Sequence, residues 1–499
     1  MAFNKITAEE AAAMINHGDT LGLSGFTAPG TPKSITSALA AKAEKEHEAG
    51  REFKVNLFTG ASTNQWTDGA LSRANAINMR APYQNTPDLR SRINSHDAHY
   101  FDRHLSELAQ EIRYGFYPKI KYAIIEVADF DEEGNLVLGP GVGNAPTYAA
   151  MAEKIFIEHN AKLPKSIRGM HDIVVLQDPP YRREIPIYSP SDRIGSPVLK
   201  IDPKKVVGIV ETDSYDTVKP FTEVDETSTK IGNNVVNFLL NELRVGRIPK
   251  NFLPLQSGVG NVANAVLYGL GENDEIPPFQ MYTEVTQESV IELMMQGKCT
   301  FSSTSSITVS DQMEEKMFAN MDFFRDKILM RPVEISNSPE IVRRLGVISM
   351  NTALEADIFG GVNSTHVLGT RMMNGIGGSG DFTRNAYISI FSCPSLTKGG
   401  SISNIVPMVA HADHSEHSVD VLITDQGIAD LRGKDPVDRA KVIIENCAAP
   451  EYRELLWDYL KLSQKGGQTP HTLQAAFELH VAFNETGDMR NANFARYVK

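Results

Sequence analysis

The chain predicts an α/β protein with largely parallel sheets, organised as two tandem domains, and three observations carry that expectation. Short apolar runs bounded by turn residues alternate with helical stretches. The chain has 499 residues, more than one ordinary core of about 150 residues accommodates. The same succession of local patterns also occurs twice.

In the first half the apolar runs are "TLGLSGF" from Thr20, "VNLFTGAS" from Val55, "KYAIIEVADF" from Lys121, "DIVVLQ" from Asp172 and "KVVGIVET" from Lys205. Each reads as a buried strand, and "SITSALAAKAEKEHEAG" from Ser34 reads as a helix between two of them. Thr7 and Glu10 have the spacing of a helix capping box, and no long apolar core surrounds them, so this start reads as cytosolic, not as a signal peptide. Composition breaks in "TDSYDTVKPFTEVDE", after which "TSTKIGNNVVNFLLNELRVGRIP" reads as an amphipathic helix closed by Gly246 and Pro249. The boundary falls near Thr222, giving domains 1–222 and 223–499.

Across that boundary "LGLSGFTAPGTPKSITSAL" matches "LPLQSGVGNVANAVLYGL", each a strand, a Ser-Gly, a loop of small residues and a helix. "NLFTGAST" then matches "QMYTEVTQ". "IIEVADFDEEGNL" with its later "GPGVGNAP" matches "ALEADIFGGVNST" with its later "NGIGGSGDF". Three weak matches in one order indicate duplication of a domain. Where the second half has Glu284, the first has Gly60, so the two halves need not share chemistry equally.

Bulk properties narrow the function. The balance of 49 Lys and Arg against 62 Asp and Glu gives a net charge of −13, which argues against non-specific binding to nucleic acid or an anionic membrane. No stretch has the roughly 18 apolar residues of a membrane span. Cys299, Cys393 and Cys447 are scattered, without the spacing of a disulfide framework or a zinc site.

Three segments carry candidate chemistry, and three more follow further along the chain. In "QSGVGNVANAV", Gly258 and Gly260 lie between a strand and a helix, where missing side chains let backbone N–H groups approach an anionic ligand; a tight turn fits the same letters. In "MMNGIGGSGDF", Gly375, Gly377, Gly378 and Gly380 crowd a short loop flanked by apolar residues, which indicates close approach to a ligand or to another loop. Two such loops can aim two N–H groups at one oxygen. In "FQMYTEVTQESV", Glu284 interrupts a strand-like run; an ionised carboxylate there can attack an acyl carbon without a general base. It also fits a strand-end carboxylate pairing with an arginine, or capping the helix that starts near Thr286. Glu288 reads as that helix's exposed face.

Further along, "HADHSEH" offers His411, Asp413, His414 and His417 as metal ligands, but strands on both sides favour a hydrogen-bonded loop, and no metal is expected. In "SNSPEIVRRLG", Ser336, Asn337 or Ser338 fits a helix N-cap with Pro339 at the first helical position. Lys398, beside two glycines, fits a phosphate contact or a solvated turn.

Together "LPLQSGVGNVANAV", "MYTEVTQ", "ISNSPEIVRRLG", "EADIFGGVNSTHV", "MNGIGGSGDF", "KGGSISNIVPMVAH" and "ITDQGIADLRG" resemble the acetyl-CoA hydrolase/transferase family of class I CoA-transferases, nearly end to end. The resemblance implies two CoA-transferase-type domains, acyl-CoA and short-chain carboxylic acids as substrates, no permanently bound cofactor, a ping-pong reaction through a glutamyl-CoA thioester, and a cytoplasmic homodimer. It implies Glu284 as the catalytic glutamate in the second domain. Gly258, Val259, Gly260, Asn261 and Val262 match the family's CoA-contacting loop, with Asn374, Gly378, Lys398 and Leu354 as further contacts. The N–H groups of Val259 and Gly378 would form one oxyanion hole, and the Asn337 amide would serve the other carbonyl. Where relatives commonly read "TEQG" this chain reads "TDQG", which makes Asp425 one methylene short. Hydrolysis of acetyl-CoA on the same fold, a non-catalytic CoA sensor and a metal-dependent hydrolase are the alternatives.

Overall fold

In a computed structural model of the chain, residues 3–218 and 224–498 are described; the expected boundary at Thr222 lies outside them. The capping box forms as spelled: the Thr7 and Glu10 side chains each accept the other's backbone N–H, at 3.1 and 2.8 Å, opening the helix Ala8–Met14.

The first half builds a sheet in the order His99–Tyr100, Ile77–Ala81, Val55–Phe58, Thr20–Leu23, Tyr122–Phe130, Lys154–Asn160, Val206–Thr212. All neighbours along this path run parallel, and Leu136–Leu138 adds an antiparallel strand on Tyr122–Phe130. Helical crossovers such as Ser34–Glu48 cover the faces, which is why Thr20–Leu23 is buried along its whole length. Leu21, Leu23, Val55, Leu57, Ile124 and Phe156 pack with Ile35 and Leu39 of that helix. Each such side chain contributes about 1.5–3 kcal/mol of burial.

"DIVVLQ" departs from expectation. No strand forms over 172–177; Ile173 makes an isolated bridge with Ser196, and Val175 is exposed. The reason is the first letter: the buried Asp172 carboxylate accepts the N–H groups of Ile194 and Gly195 and pairs with the buried Arg331, which ties the segment to a loop instead of a ladder.

The chain forms two compact units that do not follow its halves. One comprises Met1–Pro220, Gln280–Leu345 and Asn374–Asp381, the other Phe221–Phe279, Gly346–Met373 and Phe382–Lys499. In the first, the strand Phe279–Tyr282 from Gln280 onward, Cys299–Thr304 and Ile328–Met330 follow one another across a sheet, and Val285–Gln287 pairs with Ser306–Thr308. In the second, Leu255–Ser257, Ile348–Thr352, Ile388–Ser392 and Val421–Ile423 run parallel in that order, with Ile428–Asp430 antiparallel at the edge. Phe391, Leu422, Ile443, Ile444, Tyr452 and Leu456 belong to its core. The long helix expected after the compositional break is Glu226–Arg244, capped by the Asp225 carboxylate on the Ser228 N–H. Among the described residues no helix is long and apolar enough to cross a membrane.

The stepping of strands repeats. In the first half, strands two to four step away from Thr20–Leu23 in one direction and the later strands in the other; the second half lists its strands in the same alternation. Gly60, directly after Val55–Phe58 and Thr59, therefore stands where Glu284 follows Phe279–Tyr282 and Thr283. A Cβ at Gly60 would overlap the Gly25 carbonyl oxygen and lie 3.1 Å from the Phe26 ring. Gly60→Ala is expected to lower stability by about 1–3 kcal/mol, as overpacking does, read as a shifted denaturant midpoint; an unchanged midpoint would show that this loop gives way freely.

Candidate active site

Glu284 occupies the break between two strands, not the end of one. Phe279–Tyr282 closes before it and Val285–Gln287 opens after it. Its own carbonyl is fixed by the Ser305 N–H at 2.9 Å and the Thr304 hydroxyl at 3.0 Å, so the side chain leaves from a held backbone. Among the described residues, its carboxylate's hydrogen-bond partner is an amide, not an arginine: Asn337 Nδ2 donates to Glu284 Oε2 at 2.8 Å. Nor does Glu284 cap a helix, since the following helix is Glu288–Met295 with Gln287 at its N-cap. Glu288 is not simply an exposed face either: its carboxylate accepts the Ser310 N–H at 3.0 Å.

Asn337 is placed from several directions. It closes the short helix Val333–Ser336 and does not cap the next, Pro339–Leu345, where the Ser338 carbonyl accepts the first N–H groups. That short helix is anchored by the Val333 N–H on the Gly143 carbonyl, the Tyr282 hydroxyl on the Ile335 carbonyl, and a two-pronged Arg113–Glu334 pair at 2.7 and 2.9 Å. The Ser336 hydroxyl donates to Asn337 Oδ1 at 2.8 Å, which turns the amide's NH2 toward Glu284.

The glycine loop closes over the pair. A Cβ at Gly378 would overlap Glu284 Oε2 and stand 2.5 Å from Asn337 Nδ2. Gly375 lies against Tyr100, Asp102 and Tyr83, and Gly380 against the His104 ring, equally without room for a Cβ. The loop is further tied by the Ile376 N–H on Asp102 at 2.6 Å and the Gly375 N–H on the Gln84 carbonyl at 3.0 Å. Asn374 donates its amide to the Gly375 carbonyl at 2.9 Å.

This packing removes water from a carboxyl group that keeps only partial exposure. Burial pushes the Glu284 carboxyl up to about 7, and the Asn337 hydrogen bond opposes that rise. A weakly solvated carboxylate is a better nucleophile than a hydrated one, and here it faces an amide donor.

In the other unit, the Gly258–Val262 loop is an open helix entry. Gly258 donates to the Met350 carbonyl at 3.0 Å, Val259 is 51% exposed, and Gly260 has φ 108° at the N-cap of Asn261–Glu272. No neighbour blocks Gly260. Such a helix start favours an anion. Leu354 is half-buried, its N–H on the Asn363 carbonyl at 2.9 Å. Lys398 takes φ 49° in an exposed turn, its ammonium 5.0 Å over the Phe483 ring. Asp425 is engaged by the Ser395 N–H and hydroxyl at 2.6 and 3.0 Å and by Gln426 at 2.7 Å, so in this structure it secures that turn.

His411 to His417 form a polar loop. Asp413 accepts from Ser364 and Thr365, His411 stacks on His366 at 3.8 Å, His414 packs on Phe391, and His417 is exposed. Among the described residues no group of three or more His, Cys, Asp or Glu is placed to hold a metal ion. Sequence reasoning missed Asp381, 3% exposed and bonded to both Ser106 and Asn337; an aspartate after glycines reads as a turn residue, and nothing local marks its partner 275 positions away.

The chain belongs to the acetyl-CoA hydrolase/transferase family: the family's N-terminal domain matches residues 2–211 and its C-terminal domain residues 314–460. It is 49% identical to a propanoyl-CoA:succinate CoA transferase of Escherichia coli, across 98% of this chain and 99% of that one. It is 47% identical to a succinyl-CoA:acetate CoA-transferase of Clostridium kluyveri, across 97% and 90%. An acetyl-CoA hydrolase of Schizosaccharomyces pombe is 43% identical across 95% and 94%. Among solved structures, RipA from Yersinia pestis aligns with a TM-score of 0.70 at 22% identity over 92% of this chain and 97% of that one. A 4-hydroxybutyrate CoA-transferase from Porphyromonas gingivalis aligns at 0.64 and 22%, over the same shares. These two likenesses show the fold.

The raised Glu284 carboxyl makes a stability prediction. Between its ordinary value of 4.5 and about 7 it is protonated in the folded protein and ionised in the unfolded chain, so rising pH removes stability through that window. Glu284→Gln is expected to raise the melting temperature at pH 8 and to leave it nearly unchanged at pH 4.5, a difference of at most about 3 kcal/mol. Equal shifts at both pH values would contradict the burial argument.

Proposed function

We propose that the protein is a CoA-transferase that moves CoA between short-chain carboxylates, succinyl-CoA with acetate or propionyl-CoA with succinate, with Glu284 as nucleophile. The observation that carries this reading is the Glu284 carboxyl, partly desolvated and facing the Asn337 amide under Gly378. The names and extent of the transferase relatives support it.

On this reading Glu284 attacks the thioester carbonyl, the C–S bond breaks, and CoA leaves as a thiolate from an acyl-glutamyl anhydride. The thiolate then attacks the glutamyl carbonyl of the anhydride and releases the donor acid as its carboxylate. An acceptor carboxylate binds, and the two steps run in reverse on the glutamyl-CoA thioester. Backbone N–H groups of Val259 and Gly378 and the amide of Asn337 are assigned to the developing oxyanions, each worth on the order of 3 kcal/mol. Gly258, Gly260, Asn261, Val262, Leu354, Asn374 and Lys398 are assigned to the CoA, whose remote contacts can be used to position its thioester. We further assign residues 1–222 and 223–499 as the two tandem domains of the duplicated sequence, a division by repeat that differs from the division into compact units, together with no permanently bound cofactor, a cytoplasmic location and a homodimer, the last checked by light scattering.

Hydrolysis is the second reading, favoured by the hydrolase relatives. Release of CoA from acetyl-CoA with and without added succinate separates the two: a transferase needs the acid and a hydrolase ignores it. Incubation with acyl-CoA and peptide mapping is expected to find CoA on Glu284; CoA elsewhere, or nowhere, would sink the covalent mechanism. Asn337→Ala is expected to lower kcat by about 10²- to 10³-fold, the usual loss for one oxyanion donor. The rate in wild type should climb with pH through about 7 as Glu284 ionises; a flat profile from pH 5 to 8 would contradict this.

A further inference from the structure

The residues around Asn337 bring in a second carboxyl group that the proposed chemistry does not use. Asp381 ends the glycine loop and meets the first turn of the helix Leu105–Arg113. Its Oδ2 accepts the Ser106 N–H at 3.1 Å and its Oδ1 the Ser106 hydroxyl at 2.6 Å. The same Oδ2 accepts Asn337 Nδ2 at 3.3 Å, while that nitrogen also donates to Glu284 Oε2 at 2.8 Å. A primary amide has two N–H bonds and one carbonyl oxygen. Here each N–H has a carboxyl partner, and the oxygen takes the Ser336 hydroxyl. Reversing the amide would press its oxygen against two carboxyl groups.

We propose, resting on the reading of Glu284 as nucleophile, that Asp381 is a positioning residue that acts through Asn337. Its role is clearest once Glu284 has reacted. A glutamate converted to an anhydride or thioester loses its charge and becomes a weak acceptor, so its hold on the amide fades. Asp381, anchored by Ser106, keeps the Asn337 N–H aimed at the same point, where the next oxyanion forms.

The two carboxyl groups also act on each other. Burial, with Glu284 next in strength among the groups that raise it, pushes the Asp381 carboxyl up to about 7, and the Ser106 and Asn337 donors oppose that rise. Repulsion is mutual, so charge on Asp381 resists ionisation of Glu284. The other ionisable groups nearby are Tyr83 with Asp102 and Arg90, Tyr100, and His104 under Gly380; the test leaves all of them in place.

Asp381→Asn keeps the shape and removes the charge. We expect kcat to fall about 10- to 100-fold with the KM for acyl-CoA within about twofold, as for loss of a supporting shell. We also expect the acid limb of the kcat/KM profile to move down by about half to one pH unit, because a like charge has been removed. A lower active fraction with an unshifted acid limb would reduce Asp381 to a structural role and overturn the proposal. If Asp381→Asn does not fold, Ser106→Ala carries the test: a several-fold loss of kcat at unchanged KM supports it, and wild-type kcat overturns it. Wild-type enzyme mapped in parallel keeps the two ideas apart. No CoA adduct on wild-type Glu284 fails the nucleophile reading, whereas a wild-type adduct with an unshifted Asp381→Asn profile fails this one.

Discussion

A carboxyl group withdrawn from water beside a single amide sets the terms for much of the surrounding unit. Glu284 has the Asn337 N–H as its hydrogen-bond partner, and Gly378 packs where any side chain would collide with both. For that triad to hold its shape, each member is fixed from behind. The Glu284 backbone is pinned by Ser305 and Thr304, the Asn337 helix by Tyr282, Gly143 and the Arg113–Glu334 pair, and the glycine loop by Asp102 and Gln84. Hydrogen bonds and ion pairs that would contribute little on an exposed surface here fix angles inside a partly dry pocket.

Fixing a desolvated acid costs stability, and the same unit holds other buried charges in the opposite way. Arg331 and Asp172 are both fully enclosed, yet they are paired and hydrogen-bonded to Ser303, Ile194 and Gly195. Lys33 is likewise enclosed between Glu126 and Asp216. Those groups are compensated by an opposite charge, whereas Glu284 is left with a neutral donor. Without an opposite charge beside it, the Glu284 carboxyl stays raised by burial, and only the Asn337 hydrogen bond opposes that rise.

Much of this architecture is legible in the letters. The capping box, the parallel strands, the long helix after the compositional break and the duplicated order all follow from local periodicity, and crowding of glycines correctly signals close approach. What the letters hide is long-range partnership. "DIVVLQ" has the apolar run of a strand, but Asp172 commits it to Arg331 and a loop. "FQMYTEVTQESV" reads as a strand giving way to a helix near Thr286, but a second strand, Val285–Gln287, comes between them and Glu284 sits at the break. Asp381 and Ser106 look like ordinary turn and helix residues until the fold brings them together, and Asn337 looks like a cap until its side chain is seen to face a carboxylate. Pair interactions across hundreds of residues leave no periodic trace.

The backbone packed around Gly60 limits what a substitution there can do. Main chain leaves no room at the first-half counterpart of Glu284: a Cβ at Gly60 would meet the Gly25 carbonyl oxygen and come within 3.3 Å of the Gly143 Cα. Restoring a glutamate at position 60 by a single substitution would meet main chain, which cannot rotate away as a side chain can. The asymmetry between the halves therefore resists point substitution: a carboxylate at position 60 needs the backbone around Gly25 and Gly143 to be rebuilt first, whereas the corresponding position in the second half already holds one.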